Sequence, residues 1–262
     1  MPEGDTVWLT ARRLHQALAG RPLTTFDLRV PTLATVDLRG ATVTEVRARG
    51  KHLLTRLGSG MTLHSHLKMD GSWYLCRAGE RPRGNPEHMI RAQLGNAEWL
   101  ATGYRVHNLR VVATADEDQL VGHLGPDLLG NDWDLDETLR RLRADPERAL
   151  GEALLDQRML AGIGNLYKCE VLFVTRVNPW TPTGAVPDLA AVVTVARKLL
   201  LANREHPEQS TTGLLARGRQ HWVYDRGGEA CRRCGATISR GAQGPPPWQR
   251  VTYWCPRCQP PP

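Results

Sequence analysis

Cys231-Arg232-Arg233-Cys234, twenty further residues, and then Cys255-Pro256-Arg257-Cys258 decide how the last part of this chain folds. Each Cys-x-x-Cys pair sets two thiolates on a tight knuckle, and the intervening residues can fold back as a hairpin to complete a tetrahedron. That spacing is a strong signature of a zinc site. Two disulfides in a secreted protein are the alternative, which the lack of a charged-then-apolar leader disfavours. No histidine or carboxylate stands in for a thiolate, so the expected zinc, one per chain, holds a fold and performs no chemistry. Cys76 and Cys169 read as ordinary semi-buried thiols.

Outward from the cysteines, the segment is strongly basic. From Arg217 onward there are eight arginines against only Asp225 and Glu229, so this stretch holds +6 of the chain's formal +7. The basic surface is a terminal patch and its partner is an anion, although charge alone does not separate nucleic acid from other polyanions. The 262 residues suffice for two modest domains, each with its own core. No run of about 18 apolar residues occurs, so the expectation is a chain with no membrane span and a cytoplasmic location.

Towards the N-terminus the pattern changes. Asp5 or Thr6 can cap a helix whose apolar positions Val7, Ala11, Leu14 and Leu18 follow the helical period, with Gly20 as its stop. Short β-rich runs follow at 26–30, 42–47, 52–57, 61–66, 73–76, 89–94 and 110–114, punctuated by Gly and Pro, which predicts a two-sheet sandwich. Beyond Gly125-Pro126 the periodicity is helical, at 135–144, 146–160, 165–177 and 188–206. Between the second and third helices lies Gly162-Ile163-Gly164-Asn165, a turn that can present backbone N–H groups at the next helix start. Gly244-Pro245-Pro246-Pro247 reads as a loop tip.

The first residues hold a possible chemistry of their own. With Met1 removed, Pro2 offers a free secondary amine beside the Glu3 carboxyl. Such an amine attacks an electrophilic sugar carbon and gives a cationic iminium, while a neighbouring carboxyl delivers and collects protons. An α-amino group titrates near 8, so a useful fraction is unprotonated near neutral pH. A frayed terminus has the same appearance, and other parts of the chain must decide.

They do so together. Pro2-Glu3-Gly4, Gly50-Lys51-His52-Leu53-Leu54, His64 to Ser72, Leu155-Asp156-Gln157, Gly162 to Tyr167, Trp222 to Arg226, the four cysteines and Gln249-Arg250 occur in an order that resembles, end to end, the formamidopyrimidine-DNA glycosylase and endonuclease VIII family. The opening Met-Pro-Glu-Gly-Asp-Thr-Val-Trp is most similar to its actinobacterial endonuclease VIII subgroup.

The resemblance implies an α+β multidomain fold: a leading helix and two-sheet β-sandwich over 1–123, a linker at 124–133, a helical helix–two-turn–helix domain at 134–221, and the zinc-finger hairpin with its tail at 222–262. It implies Pro2 as the nucleophile, Glu3 as the acid, and Lys51 and Arg250 as grips on phosphates beside the lesion. Asn165 matches a contact to the DNA backbone. Met69 matches the wedge that fills the hole left by a flipped base, which needs a flexible apolar side chain.

Departures from the pattern bear on specificity. Gly103 to Asn108 stands where an Asp-Pro-Arg-Arg-Phe-Gly loop would probe the opposite strand, leaving Arg105 as the candidate reader. The stretch from Thr212 to Trp222 is too short for a long lid over an oxidised purine. Thr6, with Asp5 beside it, stands where a second acidic residue would follow Glu3. The expected activity is therefore a base-excision-repair glycosylase and lyase for oxidised pyrimidines, acting as a monomer on damaged DNA at the nucleoid. An oxidised-purine glycosylase and a catalytically silent binder of damaged DNA are the alternatives.

Overall fold

The computed structural model describes residues 2–81 and 86–261, and the chain divides into two compact units, Met1–His123 and Leu124–Pro262. The first unit opens with helix α1 (Gly4–Leu18), whose cap lies before the expected Asp5 or Thr6: Glu3 holds the N-cap position, extended at ψ −173°, and Asp5 lies inside the first turn. Backbone geometry starts this helix, because no side chain caps it. The α1 residues Val7, Ala11, Leu14 and Leu18, predicted as its apolar face, are buried. They enter one core with Leu28, Leu53, Leu63 and Leu94 from the strands, and each such side chain contributes roughly 1.5–3 kcal/mol by leaving water.

Two antiparallel four-stranded sheets make up the rest of the unit. One comprises β1 (Thr25–Leu28), β5 (Ser72–Arg77), β6 (Ile90–Gly95) and β7 (Trp99–Tyr104) in the order β1-β6-β7-β5. The other comprises β2 (Val43–Arg49), β3 (His52–Leu57), β4 (Met61–His66) and β8 (Asn108–Ala113) in chain order. In the second sheet the period of two sends Leu53 and Leu63 to the core and puts His52, Arg56, Thr62, His64 and His66 on the opposite face.

β7 is a strand that the sequence pattern did not predict. It ends at Tyr104 and β8 begins at Asn108, so of the stretch read as an opposite-strand probe, only Arg105, Val106 and His107 form a loop.

The second unit is helical, with α3 (Leu135–Arg143), α4 (Leu150–Ala153), α5 (Asn165–Val174) and α6 (Leu189–Asn203) after the short α2 (Asp118–Val121) of the first. Asp134 and Asp188 cap α3 and α6, accepting from the N–H groups of Glu137 and Ala191. The predicted helix over 146–160 shrinks to the four residues of α4. Its start is tied by Leu150 N–H to the Thr181 carbonyl, and its end by Asp156, which accepts from Arg148 and Arg158. Helix α5 is buried on nearly every side, as befits the centre of a helical core. The unit closes with a hairpin of β9 (Ser239–Gln243) and β10 (Arg250–Trp254). Among the described residues no helix is long and apolar enough to cross a membrane.

Candidate functional site

In the first unit, Pro2 is half-buried and Glu3 has no exposed surface, so the carboxyl at the α1 N-cap is withdrawn from solvent beside Pro2. Asp5 is buried too, and its Oδ1 accepts from the Thr6 N–H at 2.8 Å, a local turn bond. Lys51 occupies the tight turn between β2 and β3, where Gly50 adopts φ +56°, a conformation open to glycine at little cost.

Beside Lys51 lies a group of residues that sequence reasoning missed. His52 stacks against His64 with ring centres 5.1 Å apart, and the two share a hydrogen bond of 2.8 Å between His52 Nδ1 and His64 Nε2. His66 meets His52 edge-on at 4.9 Å, and His123 does so at 6.2 Å. Burial, with the charges of His66, His64, His123 and Lys51, pushes His52 down to about 3. Burial likewise brings His64 and His66 to about 4. All three are neutral at pH 7, so the rings add no cationic charge beside Lys51. The alternation His64-Ser65-His66 was a usable signal, but only the register that sets His52 opposite His66 reveals a cluster.

The loop between β4 and β5 presents Met69, with 63% of its surface exposed. Two features hold it out. Lys68 takes a left-handed φ of +54°, and Gly71 N–H closes the loop on the Leu67 carbonyl at 2.9 Å. A Cβ at Gly71 would stand 2.5 Å from that carbonyl oxygen, so only glycine fits. Arg105, also left-handed at φ +53°, extends from the end of β7 to the same loop, with its guanidinium 3.9 Å from Asp70. The fold thus brings together Met69 and Arg105, which are far apart in sequence.

In the second unit the glycine turn is built by Gln157. Its Oε1 accepts from Gly162 N–H and its Nε2 donates to the Ile163 carbonyl, both at 3.0 Å, which explains the Leu155-Asp156-Gln157 motif. Asn165 follows at the start of α5 and donates from Nδ2 to the Val251 carbonyl on β10 at 2.7 Å. Its Oδ1 is buried with no hydrogen-bond partner among the described residues. Val251 adjoins the exposed Arg250, so the helix turn and the hairpin, predicted as separate DNA contacts, are joined at one point. Lys168 Nζ donates to Thr252 Oγ1 at 2.5 Å, and Gln243 Nε2 donates to the Pro179 carbonyl at 2.7 Å, fixing both strands of the hairpin near its tip end.

The four cysteines converge, their sulfurs lying within 4.8 Å of one another. Cys231 to Cys258 spans 4.0 Å and Cys234 to Cys255 spans 3.5 Å. A tetrahedron with zinc–sulfur bonds of about 2.3 Å has edges of about 3.8 Å, so these four residues fit such an ion. The Ala236 N–H lowers the Cys234 thiol to about 7, whereas burial pushes Cys258 up to about 12. Cys169 is fully buried and lies outside the cluster, as does the half-buried Cys76. Beneath the finger, the buried Glu170 carboxylate accepts from the N–H groups of Trp222, Val223 and Tyr224 at 2.7–2.8 Å and from the Thr211 hydroxyl.

Comparison with known proteins agrees with this geometry. The family profile described as formamidopyrimidine-DNA glycosylase N-terminal domain matches residues 1–125, and the profile of the H2TH domain of the same glycosylase matches residues 124–213. The chain is 58% identical to a Streptomyces coelicolor protein named "Probable endonuclease 8 2", over 99% of this chain and 94% of that one. It is 48% identical to the "DNA-(apurinic or apyrimidinic site) lyase Nei2" of Mycolicibacterium smegmatis, over 99% of each. Among solved structures, Lactococcus lactis Fpg in complex with DNA containing an abasic site superposes with a TM-score of 0.81 at 24% identity. The match covers 99% of this chain and 100% of that one, a likeness of fold.

Proposed function

The chain belongs to the formamidopyrimidine-DNA glycosylase family, and from that premise we propose that it is a base-excision-repair DNA glycosylase and AP lyase acting on oxidised pyrimidines. One observation carries the reading: Pro2, the residue after Met1, lies next to a Glu3 withdrawn from solvent, in a chain 48% identical over its length to a protein named as an AP-site lyase.

Once Met1 is removed, the unprotonated Pro2 nitrogen bonds to C1′ of the damaged nucleotide as the bond from C1′ to the base breaks, and the proton that this nitrogen then sheds balances the charge on the departing base. Glu3 gives a proton to the sugar oxygen as the ring opens, leaving an iminium that withdraws electrons from the sugar. Loss of the C2′ proton then expels the 3′ phosphate, and a second elimination expels the 5′ phosphate. Both departures are eliminations from one adduct, so no dissociable cofactor takes part.

Lys51, flanked by rings that stay neutral, holds the target phosphate, while Met69 enters the gap in the base stack and Arg105 reads the opposite strand. Asn165 and Arg250 hold the backbone from the second unit. Within that unit the proposed division is a linker at 124–133, the helical domain at 134–221 and the finger at 222–262. Zinc in the four-cysteine site supplies folding free energy to the finger. The preference for pyrimidines rests on the compact turn of residues 211–220, closed by Thr211 N–H on the Gln220 carbonyl at 2.8 Å. Such a turn offers little to cover a purine. The protein is expected to work as a monomer at the nucleoid.

Borohydride trapping on abasic-site DNA tests the reading. Protein lacking Met1 should give a covalent adduct that is lost in Pro2→Gly and in Glu3→Gln; no adduct from that material sinks the lyase. Excision compared across duplexes with thymine glycol, dihydrouracil and 8-oxoguanine tests the lesion class, and preferential release of 8-oxoguanine reverses the pyrimidine assignment.

A further inference from the structure

The chain has eight tryptophans. Seven of them meet an aromatic ring, an arginine or a serine hydroxyl. The eighth, Trp248, has 73% of its surface in solvent and makes no ring or cation contact among the described residues. A large exposed aromatic is an informative exception to burial, since its apolar face gains nothing from water.

Its setting indicates what covers it. Trp248 ends the proline run at the hairpin tip, and its N–H donates to the Pro245 carbonyl at 2.9 Å, closing a turn whose proline φ angles are fixed. Below the tip, Gln243 and Thr252 bind one another and the helical core, so the ring stands on an anchored base. Two residues further on is Arg250. From Ala230 to the C-terminus there is no acidic residue, whereas Arg240 and Arg250 lie on the hairpin itself. A partner that suits an aromatic face set in uniformly positive surroundings combines an anionic backbone with flat rings, which describes a DNA strand with an unstacked base.

We propose that Trp248 stacks on a nucleobase of the strand that Arg250 grips, beside the lesion, and so adds to the finger an affinity term that does not depend on salt. The proposal rests on the reading of the finger as a DNA contact. It assigns Trp248 a binding role, outside the bond-making steps.

The test measures affinity for a duplex carrying a tetrahydrofuran abasic analogue across a range of salt, with 2-aminopurine either next to the analogue or ten positions away. Trp248→Ala should weaken binding about five- to a hundredfold, as loss of one base–aromatic stack does, with the salt slope unchanged. Trp248→Phe should restore most of the affinity. The adjacent 2-aminopurine should be quenched by the unaltered protein and by the Phe variant and stay bright with the Ala variant, whereas the distant one should not respond. Equal affinity of Trp248→Ala and the unaltered protein overturns the proposal. So does a loss that changes the salt slope and is not restored by Phe, since that would mean a displaced Arg250. Trapping by the unaltered protein, run in parallel, separates these failures from failure of the glycosylase reading.

Discussion

Two buried polar clusters, one in each unit, use their hydrogen-bonding groups in opposite ways. In the first, His52, His64 and His66 are sunk beside Lys51 as neutral rings, and His64 Nδ1 has no hydrogen-bond partner among the described residues. In the second, Glu170 accepts from three backbone N–H groups and a hydroxyl, while Gln243, Gln259 and Lys168 each bind a carbonyl or hydroxyl of the finger or its neighbours. One cluster keeps hydrogen-bonding capacity in reserve; the other uses it to hold backbone in place. The difference separates a corner where charge is kept low from a scaffold where charge is a strut.

Breaking the strut should have the largest effect. Cys255→Ser, or metal removal by a chelator under reducing conditions, should unfold the finger and reduce DNA binding below detection, because structural zinc contributes on the order of 10 kcal/mol to such small sites. Metal release followed beside DNA binding checks this; binding that survives full release would contradict it. Next comes Glu170→Ala, which strands the N–H groups of Trp222, Val223 and Tyr224 and should destabilise the second unit by about 3–5 kcal/mol in urea unfolding, each unmatched donor costing about 1–3 kcal/mol. Glu170→Gln, which retains one acceptor oxygen, should cost less, and equal losses would show that the neutral acceptor oxygen contributes nothing and that the ionised carboxylate does the holding.

At neutral pH the other cluster has the smallest effect, because its contribution changes only in acid. Histidines whose folded values lie near 3 to 4, against about 6.5 when unfolded, leave the unfolded chain holding more protons between those limits, so stability rises with pH across that window. Their contribution is full above about 6.5 and is lost as the pH falls through about 4. The stability of the first unit should fall accordingly from pH 7 to pH 4, and a His52→Ala/His64→Leu double variant should flatten that dependence. An unchanged slope would remove the histidines as its source.

Much of this was legible in the residues. Strands β3 and β4 have the bounds their alternation predicted, since each has one apolar face and one polar face with Gly close by as punctuation. The cysteine spacing predicted a cluster because Cys-x-x-Cys geometry is local. Strand β7 was not legible: Ala101 and Gly103 have weak strand preference, and the strand is held by pairing with both β5 and β6, a tertiary cause. The failure of the 146–160 helix has a similar origin, in the distant Thr181 carbonyl and the Arg148–Asp156–Arg158 pairing. The cluster of histidines needed strand register, and the exposure of Trp248 needed the folded hairpin, because a tryptophan after three prolines reads only as part of a loop.

The ties from Asn165 and Lys168 to β10, and from Gln243 to Pro179, reach the hairpin at residues 243, 251 and 252 and so stop short of its tip. Between Gly244 and Gln249 the hairpin can therefore change length or composition without disturbing the metal knuckles or the helical core. Those six residues form an exchangeable cartridge. Replacing them with a short turn shortens the reach of the finger, and grafting other tips onto the same base would let one scaffold be retuned for different strand shapes.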